Sequence, residues 1–197
     1  MRGPGRHNLT ELLVDLTACF AIPAYTLLFA GDIEWLGTNF SVLAVAGQAS
    51  YRGFFFWGLL AGGYFLLTLA GVGRTLPRRR DRLMFCLLIL AASGCLGAGL
   101  TVPYLPGDDP ERARLHVLLC FGAGVLLMAG VLTALLALRR GEPARYRPLL
   151  ALWWAIAAGA VGLFLLAGQV SSALEIFFTL SAALLVRNLW RLRRLER

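Results

Sequence analysis

Six long apolar stretches, separated by short polar segments, dominate the pattern of the chain. They cover residues 9–30, 53–73, 82–102, 115–138, 149–168 and 171–190. Each is close to the roughly 20 apolar residues that a helix needs to cross the hydrocarbon core of a bilayer. The pattern predicts an all-α polytopic membrane protein: a six-transmembrane-helix bundle that forms a single transmembrane domain over residues 1–197, with no soluble domain.

The segment between the first two predicted helices differs from a simple loop. Residues 31–52 contain Trp35, a polar Gly37-Thr38-Asn39 step and an apolar run that begins at Phe40. The run is too short and too interrupted to span a bilayer, and backbone that is not helical must avoid lipid. We therefore expect a short external cap on the bundle, either an interfacial helix or a small pair of strands.

The composition supports a lipid environment. Hydrophobic residues make up 58% of the chain, above the roughly 45–50% of ordinary soluble domains. The formal net charge of +8 could indicate a nucleic-acid partner. The basic residues, however, lie directly beside the apolar stretches, where they act as topology signals and contact anionic lipid headgroups. We expect membrane lipids as partners and no nucleic acid.

The basic residues are concentrated in alternate connecting segments. All 19 are arginine, which is typical of a GC-rich genome, and only Arg52, Arg112 and Arg114 lie in the first and third loops. Positive charge beside a transmembrane helix is retained in the cytoplasm. The sequence therefore predicts a multi-pass protein of the bacterial plasma (inner) membrane, with the N- and C-termini in the cytoplasm.

Ionisable groups within the apolar stretches are the candidates for function, because each costs roughly 2.5–3.5 kcal/mol to insert. Glu175 lies about one turn into the sixth predicted helix, and His116 opens the fourth on the same side. Arg52 lies at the mouth of the second predicted helix, where it could pair with Glu175, with the Asp108-Asp109 loop or with a lipid phosphate. Glu175, His116 and Arg52 form our predicted ligand-binding set.

Each of these residues also has a plain structural interpretation. A carboxylate in the first turn is stabilised by the helix N-terminus, and a solvated arginine needs no ligand. His116 and Glu175 could form a proton-linked pair, a weak metal site or an ordinary hydrogen bond, of which the last is favoured. Near the N-terminus, Glu11 and Asp15 could be neutralised by the arginines at 78–82 or by those near the C-terminus.

Catalytic and cofactor signatures are missing from the sequence. It contains no H-E-x-x-H, G-x-S-x-G or Walker motif, and its four cysteines lie within apolar stretches without a C-x-x-C pair. One histidine and one glutamate fall short of a metal site. We therefore expect no metal, no cofactor and no catalytic residue, and the residues favour a protein that is not an enzyme.

Some short motifs resemble those of a known family. Two of them are His116 with Phe121 five residues on, and Ser172-Ala173-Leu174-Glu175 at the start of the sixth helix. With the six-helix layout, these two resemble the family of damage-regulated autophagy modulators and glycosylphosphatidylinositol-remodelling membrane proteins, and uncharacterised bacterial relatives. Thr38-Asn39-Phe40-Ser41-Val42 and Leu115-His116-Val117 are similar to segments of uncharacterised membrane proteins of gram-positive bacteria. The resemblance implies a lipid-associated or regulatory role that involves His116 and Glu175.

Three functional hypotheses follow. The leading one is a regulatory or accessory bundle that binds lipid, another membrane protein or a second copy of itself. The alternative is a small transporter or channel in which Glu175 is the proton- or ion-linked group. The third is an intramembrane lipid-modifying enzyme with His116 as base and Glu175 as its orienting partner, which requires the two side chains to lie within hydrogen-bond reach in an accessible cleft.

Overall fold

The computed structural model describes residues 9–31, 34–45 and 47–194, and these residues are helical without strands. The helices are α1 (Leu9–Ala30), α2 (Phe40–Val45), α3 (Gln48–Gly73), α4 (Arg79–Thr101), α5 (Pro110–Arg139), α6 (Pro143–Ala167) and α7 (Ser172–Arg194). All except α2 are long and apolar enough to cross a membrane. The predicted six-helix bundle is therefore confirmed, and α2 is the cap, as the helical alternative predicted.

Helices α3 and α5 begin about five residues earlier than predicted. The reason is clear at α5, where the side chain of Asp109 accepts the Arg112 N–H at 3.1 Å and Pro110 occupies the first turn. A capping carboxylate followed by proline is a strong helix start. Helix α6 ends at Ala167, and the following Gly168, whose φ is 69°, supplies the left-handed turn that leads to α7.

One turn of α1 is wider than an α-helix. Residues Thr17–Ala21 form a π-helical turn between two α-helical segments, Leu9–Leu16 and Ile22–Ala30. Pro23 lies two residues after this turn. Proline has no N–H, and its ring would clash with the carbonyl four residues earlier, at Cys19. The wider turn accommodates this residue within a continuous helix.

The spanning helices follow one another around the bundle, and α7 closes the ring against α1 while also packing against α3. Helices α4 and α5 form the most extensive pair. The Ile89 side chain packs directly on Gly130, where an added Cβ would lie only 2.6 Å from Cδ1 of Ile89. Small residues at such crossings drive helix association in lipid, where apolar burial alone does not.

The end of the bundle that carries the arginine-rich segments, which we call the arginine end, joins α1 to α7 by ion pairs. Asp15 binds Arg187 at 2.7 Å and also binds Arg191, while Glu11 binds Arg194 at 3.3 Å. Of the two predicted sources of neutralisation, the arginines near the C-terminus are the ones used.

The opposite end, which we call the cap end, is covered by residues 34–45. Backbone N–H groups at the start of α7 hold this segment: Ser172 donates to the Thr38 carbonyl at 2.7 Å, and Ala173 to the Trp35 carbonyl at 2.9 Å. Phe40 is fully buried, with its ring 5.0 Å from that of Trp57 in an edge-on contact. The cap is therefore docked on the bundle by both backbone and side-chain contacts.

Candidate functional site

A cavity of about 590 Å³ lies among α3, α4, α5, α6 and α7, and the cap residues Asn39 and Ser41 complete its wall. Most of the lining is apolar, and it extends to Met128 and Trp153 in the middle of the bundle. Alanine and glycine on α3, α5 and α6 leave this space open. Its size lies within the roughly 300–1,000 Å³ of ordinary ligand pockets.

His116 lies on the wall of this cavity and is only 2% exposed. Its Nδ1 is 2.7 Å from the Val102 carbonyl, and its Nε2 is 2.7 Å from Oγ of Ser41. A carbonyl only accepts, so Nδ1 donates to it. In the neutral ring Nε2 is then the acceptor, and the Ser41 hydroxyl donates to it.

Both hydrogen-bond partners of His116 lie at the ends of helices. Val102 follows the last residue of α4, where carbonyl groups lack partners within the helix. Asn39 precedes α2, and its Oδ1 accepts the Val42 N–H at 2.9 Å, which is the geometry of a helix N-cap. This side-chain hydrogen bond of Asn39 fixes the first turn of α2 and so places Ser41 beside the imidazole.

Glu175 lies in the first turn of α7 and also lines the cavity. Its Oε2 accepts the backbone N–H of Phe40 at 2.7 Å. Among the residues that the structure describes, no basic side chain forms an ion pair with this carboxylate. Glu175 therefore ties α7 to the cap through a backbone amide.

The structure brings two of the three predicted site residues together. His116 and Glu175 line one cavity and bind consecutive residues, Ser41 and Phe40, but both ring nitrogens of His116 have partners other than Glu175. Arg52 is exposed and lies outside the cavity lining. Within the described residues it has no ion pair.

Two polar side chains of the cavity wall were not among the predicted site residues. Ser41 lies in an apolar run, and only its place in the Thr38–Val42 motif marked it. Cys120 lies one turn after His116, with its Sγ 3.6 Å from Nε2, and lines the same cavity. No three His, Cys, Asp or Glu side chains converge anywhere in the described parts of the chain.

The fold and site define a six-helix multi-pass membrane protein with an apolar cavity whose polar groups lie beneath a cap. Comparison of the chain with protein-family models, curated proteins and solved structures finds no match. The resemblance drawn from short motifs stays a prediction, so the function is argued from the cavity itself.

Proposed function

We propose that the protein binds a membrane lipid in this cavity, with an acyl chain along the apolar wall and the polar part of the lipid beneath the cap. The observation that carries the proposal is the distribution of chemistry in the 590 Å³ space. Ser41, His116 and Glu175 lie at the cap end, whereas residues such as Met128 and Trp153 form the deeper wall. A lipid has the same division between a polar and an apolar part.

The cavity wall is continuous with the lipid-facing surface. Phe121 and Val125 on α5 and Val161 on α6 line the cavity and are 53%, 52% and 58% exposed, respectively. In a bilayer these exposed positions contact acyl chains. A lipid tail therefore enters sideways between α5 and α6 without crossing water.

The proposed orientation places the cap on the outer side of a bacterial plasma membrane. The arginine end carries the basic residues of the second and fourth loops and of α7, and such charge is retained in the cytoplasm. Both termini are then cytoplasmic, and the bound lipid comes from the outer leaflet.

A cavity-filling variant tests the proposal. Ala160 lines the cavity, whereas Ala158 is exposed and lies outside the lining, about 3 Å away along the same helix axis. We expect native mass spectrometry of the purified protein to show retained lipid in the wild type and in Ala158→Trp, and loss of that lipid in Ala160→Trp. Absence of lipid from the wild type, or equal retention in both variants, would refute lipid binding.

No specific observation favours the alternative that the protein is a transporter or channel. The hydroxyls of Ser93 and Thr133, predicted to lie centrally in their helices, donate at 2.9 Å to carbonyls of their own helices, at Ile89 and Ala129. These two hydroxyls are satisfied by the preceding turn and so add nothing to a polar path from Glu175 toward the arginine end.

A further inference from the structure

We propose that Ser41 and His116 form a catalytic pair that hydrolyses an ester bond of a lipid held in the cavity. The inference rests on the proposed function, because the ester must first bind there. It differs from the enzyme hypothesis raised by the sequence, since Ser41 is the nucleophile and the Val102 carbonyl, not Glu175, orients the base.

The hydrogen-bond chain has the order that an activated serine requires. The Ser41 hydroxyl donates to Nε2 of His116 at 2.7 Å, and Nδ1–H of the same ring donates to the Val102 carbonyl at 2.7 Å. A nucleophile within reach of a base, and a base oriented by a third group, is the recurring arrangement of serine catalysis on unrelated folds. The carbonyl holds the tautomer in which Nε2 accepts the serine proton.

The position of the pair distinguishes it from a buried Ser–His hydrogen bond that only stabilises a protein core. Ser41 and His116 are both buried, at 7% and 2% exposure, and both line the same cavity. The space beside Oγ can therefore hold a substrate carbonyl, and the adjoining apolar wall can hold its acyl chain. A purely structural hydrogen bond needs no such space.

The reaction balances with water as the only co-reactant. Oγ of Ser41 attacks the ester carbonyl carbon while its proton passes to Nε2 of His116. The bond from that carbon to the alcohol oxygen then breaks, and Nε2 returns the proton to the departing alcohol. Water attacks the acyl-serine, giving a proton to Nε2; the acyl–Oγ bond breaks, and Nε2 reprotonates Oγ. The products are a fatty acid and an alcohol.

Two neighbours support this step. Asn39 lines the cavity two residues before Ser41, and its Oδ1 is occupied by the Val42 N–H. Its amide NH₂ has no partner among the described residues, and we assign it as donor to the developing oxyanion. Glu175 is a positioning residue, because its carboxylate holds the Phe40 N–H directly before the nucleophile.

The polar groups of the cavity select the substrate class. Glu175 is the acidic side chain on the described lining, which includes no arginine. A phosphate bound there would have no cation to offset its charge. We therefore assign an uncharged ester, of the acylglycerol class, as the substrate.

The first test uses the full-length protein in phosphatidylcholine vesicles that contain diacylglycerol, with released fatty acid measured by mass spectrometry. We expect release by the wild type and by Thr133→Ala, since Thr133 lies outside the cavity lining and its hydroxyl bonds to its own helix. Ser41→Ala and His116→Gln should reduce release by about 100-fold or more, the scale of a lost nucleophile or general base. Wild-type release equal to that of Ser41→Ala would refute the proposal.

A second test needs no variant and so is unaffected by misfolding. An alkyl fluorophosphonate should label the wild-type protein at Ser41, with loss of fluoride, and peptide mass analysis locates the adduct. Labelling elsewhere, or none, would count against the catalytic pair.

Lipid retention, measured in the wild type and in Ser41→Ala, separates the two proposals. If lipid is retained but the wild type releases no fatty acid, catalysis alone is overturned. If neither protein retains lipid, both proposals are overturned.

Discussion

Removal of the Glu175 side chain tests how the cap is held on the bundle. In Glu175→Ala the buried Phe40 N–H loses its only acceptor among the described residues, at 2.7 Å. A buried donor that is left without its acceptor costs about 1–3 kcal/mol, and each 1.4 kcal/mol is a factor of ten. The equilibrium for local opening of the cap should therefore rise roughly fivefold to hundredfold. The bonds from Ser172 and Ala173 to the cap remain, so we expect loosening without loss of the fold.

Amide hydrogen exchange measured by mass spectrometry reports this opening directly. We expect faster exchange in peptides covering residues 35–45, with unchanged exchange in the middle of α4. Glu175→Gln keeps an acceptor and should show a smaller rise. Glu111→Ala is the matched control, because Glu111 is a carboxylate near the start of α5 whose side chain is 86% exposed. Exchange in the cap within twofold of wild type for Glu175→Ala, or an equal rise for Glu111→Ala, would contradict the assigned anchor.

Three further substitutions probe stability, each by equilibrium unfolding in mixed detergent. Phe40→Ala empties a fully buried aromatic site and should cost about 3–5 kcal/mol; a loss below 1 kcal/mol would show that Phe40 does not hold the cap. Asp15→Asn removes the charge that Arg187 and Arg191 share, but these side chains are 20–42% exposed, so we expect a loss of only about 1 kcal/mol that shrinks with added salt. Tyr64→Phe removes a buried hydrogen bond of 3.1 Å to a carbonyl of α7 and should cost about 1 kcal/mol; an unchanged midpoint would argue against that bond.

The helical layout was predictable because an apolar stretch of about 20 residues is the length of a spanning helix, roughly twice that of a spanning strand. Every N–H and C=O in the hydrocarbon region must be satisfied internally, so the lengths of the apolar stretches alone indicate six helices. The ends were less predictable, since polar caps extend helices beyond the lipid. Because Asp109 caps the helix and Pro110 opens it, α5 begins five residues before its apolar stretch, where hydropathy gives no signal.

The candidate site was only partly predictable for a related reason. His116 and Glu175 stand out because ionisable groups are costly in lipid, whereas the hydroxyl of Ser41 carries little such cost and becomes notable only when the fold brings His116 beside it. Arg52 lies one turn inside α3, which starts at Gln48, and outside the cavity lining. Its binding of a lipid phosphate stays a prediction.

The ion pairs of Asp15 set an order of events during synthesis. Asp15 and Arg187 are separated by 172 residues, and a ribosome adds about 5–20 residues per second. For roughly 10 to 30 seconds after α1 emerges, its carboxylate has neither Arg187 nor Arg191 to bind. A carboxylate is costly in hydrocarbon, which favours a position of α1 in that interval that keeps Asp15 near water or lipid headgroups. When α7 is made, its arginines form ion pairs with α1, and the ring of helices is then complete.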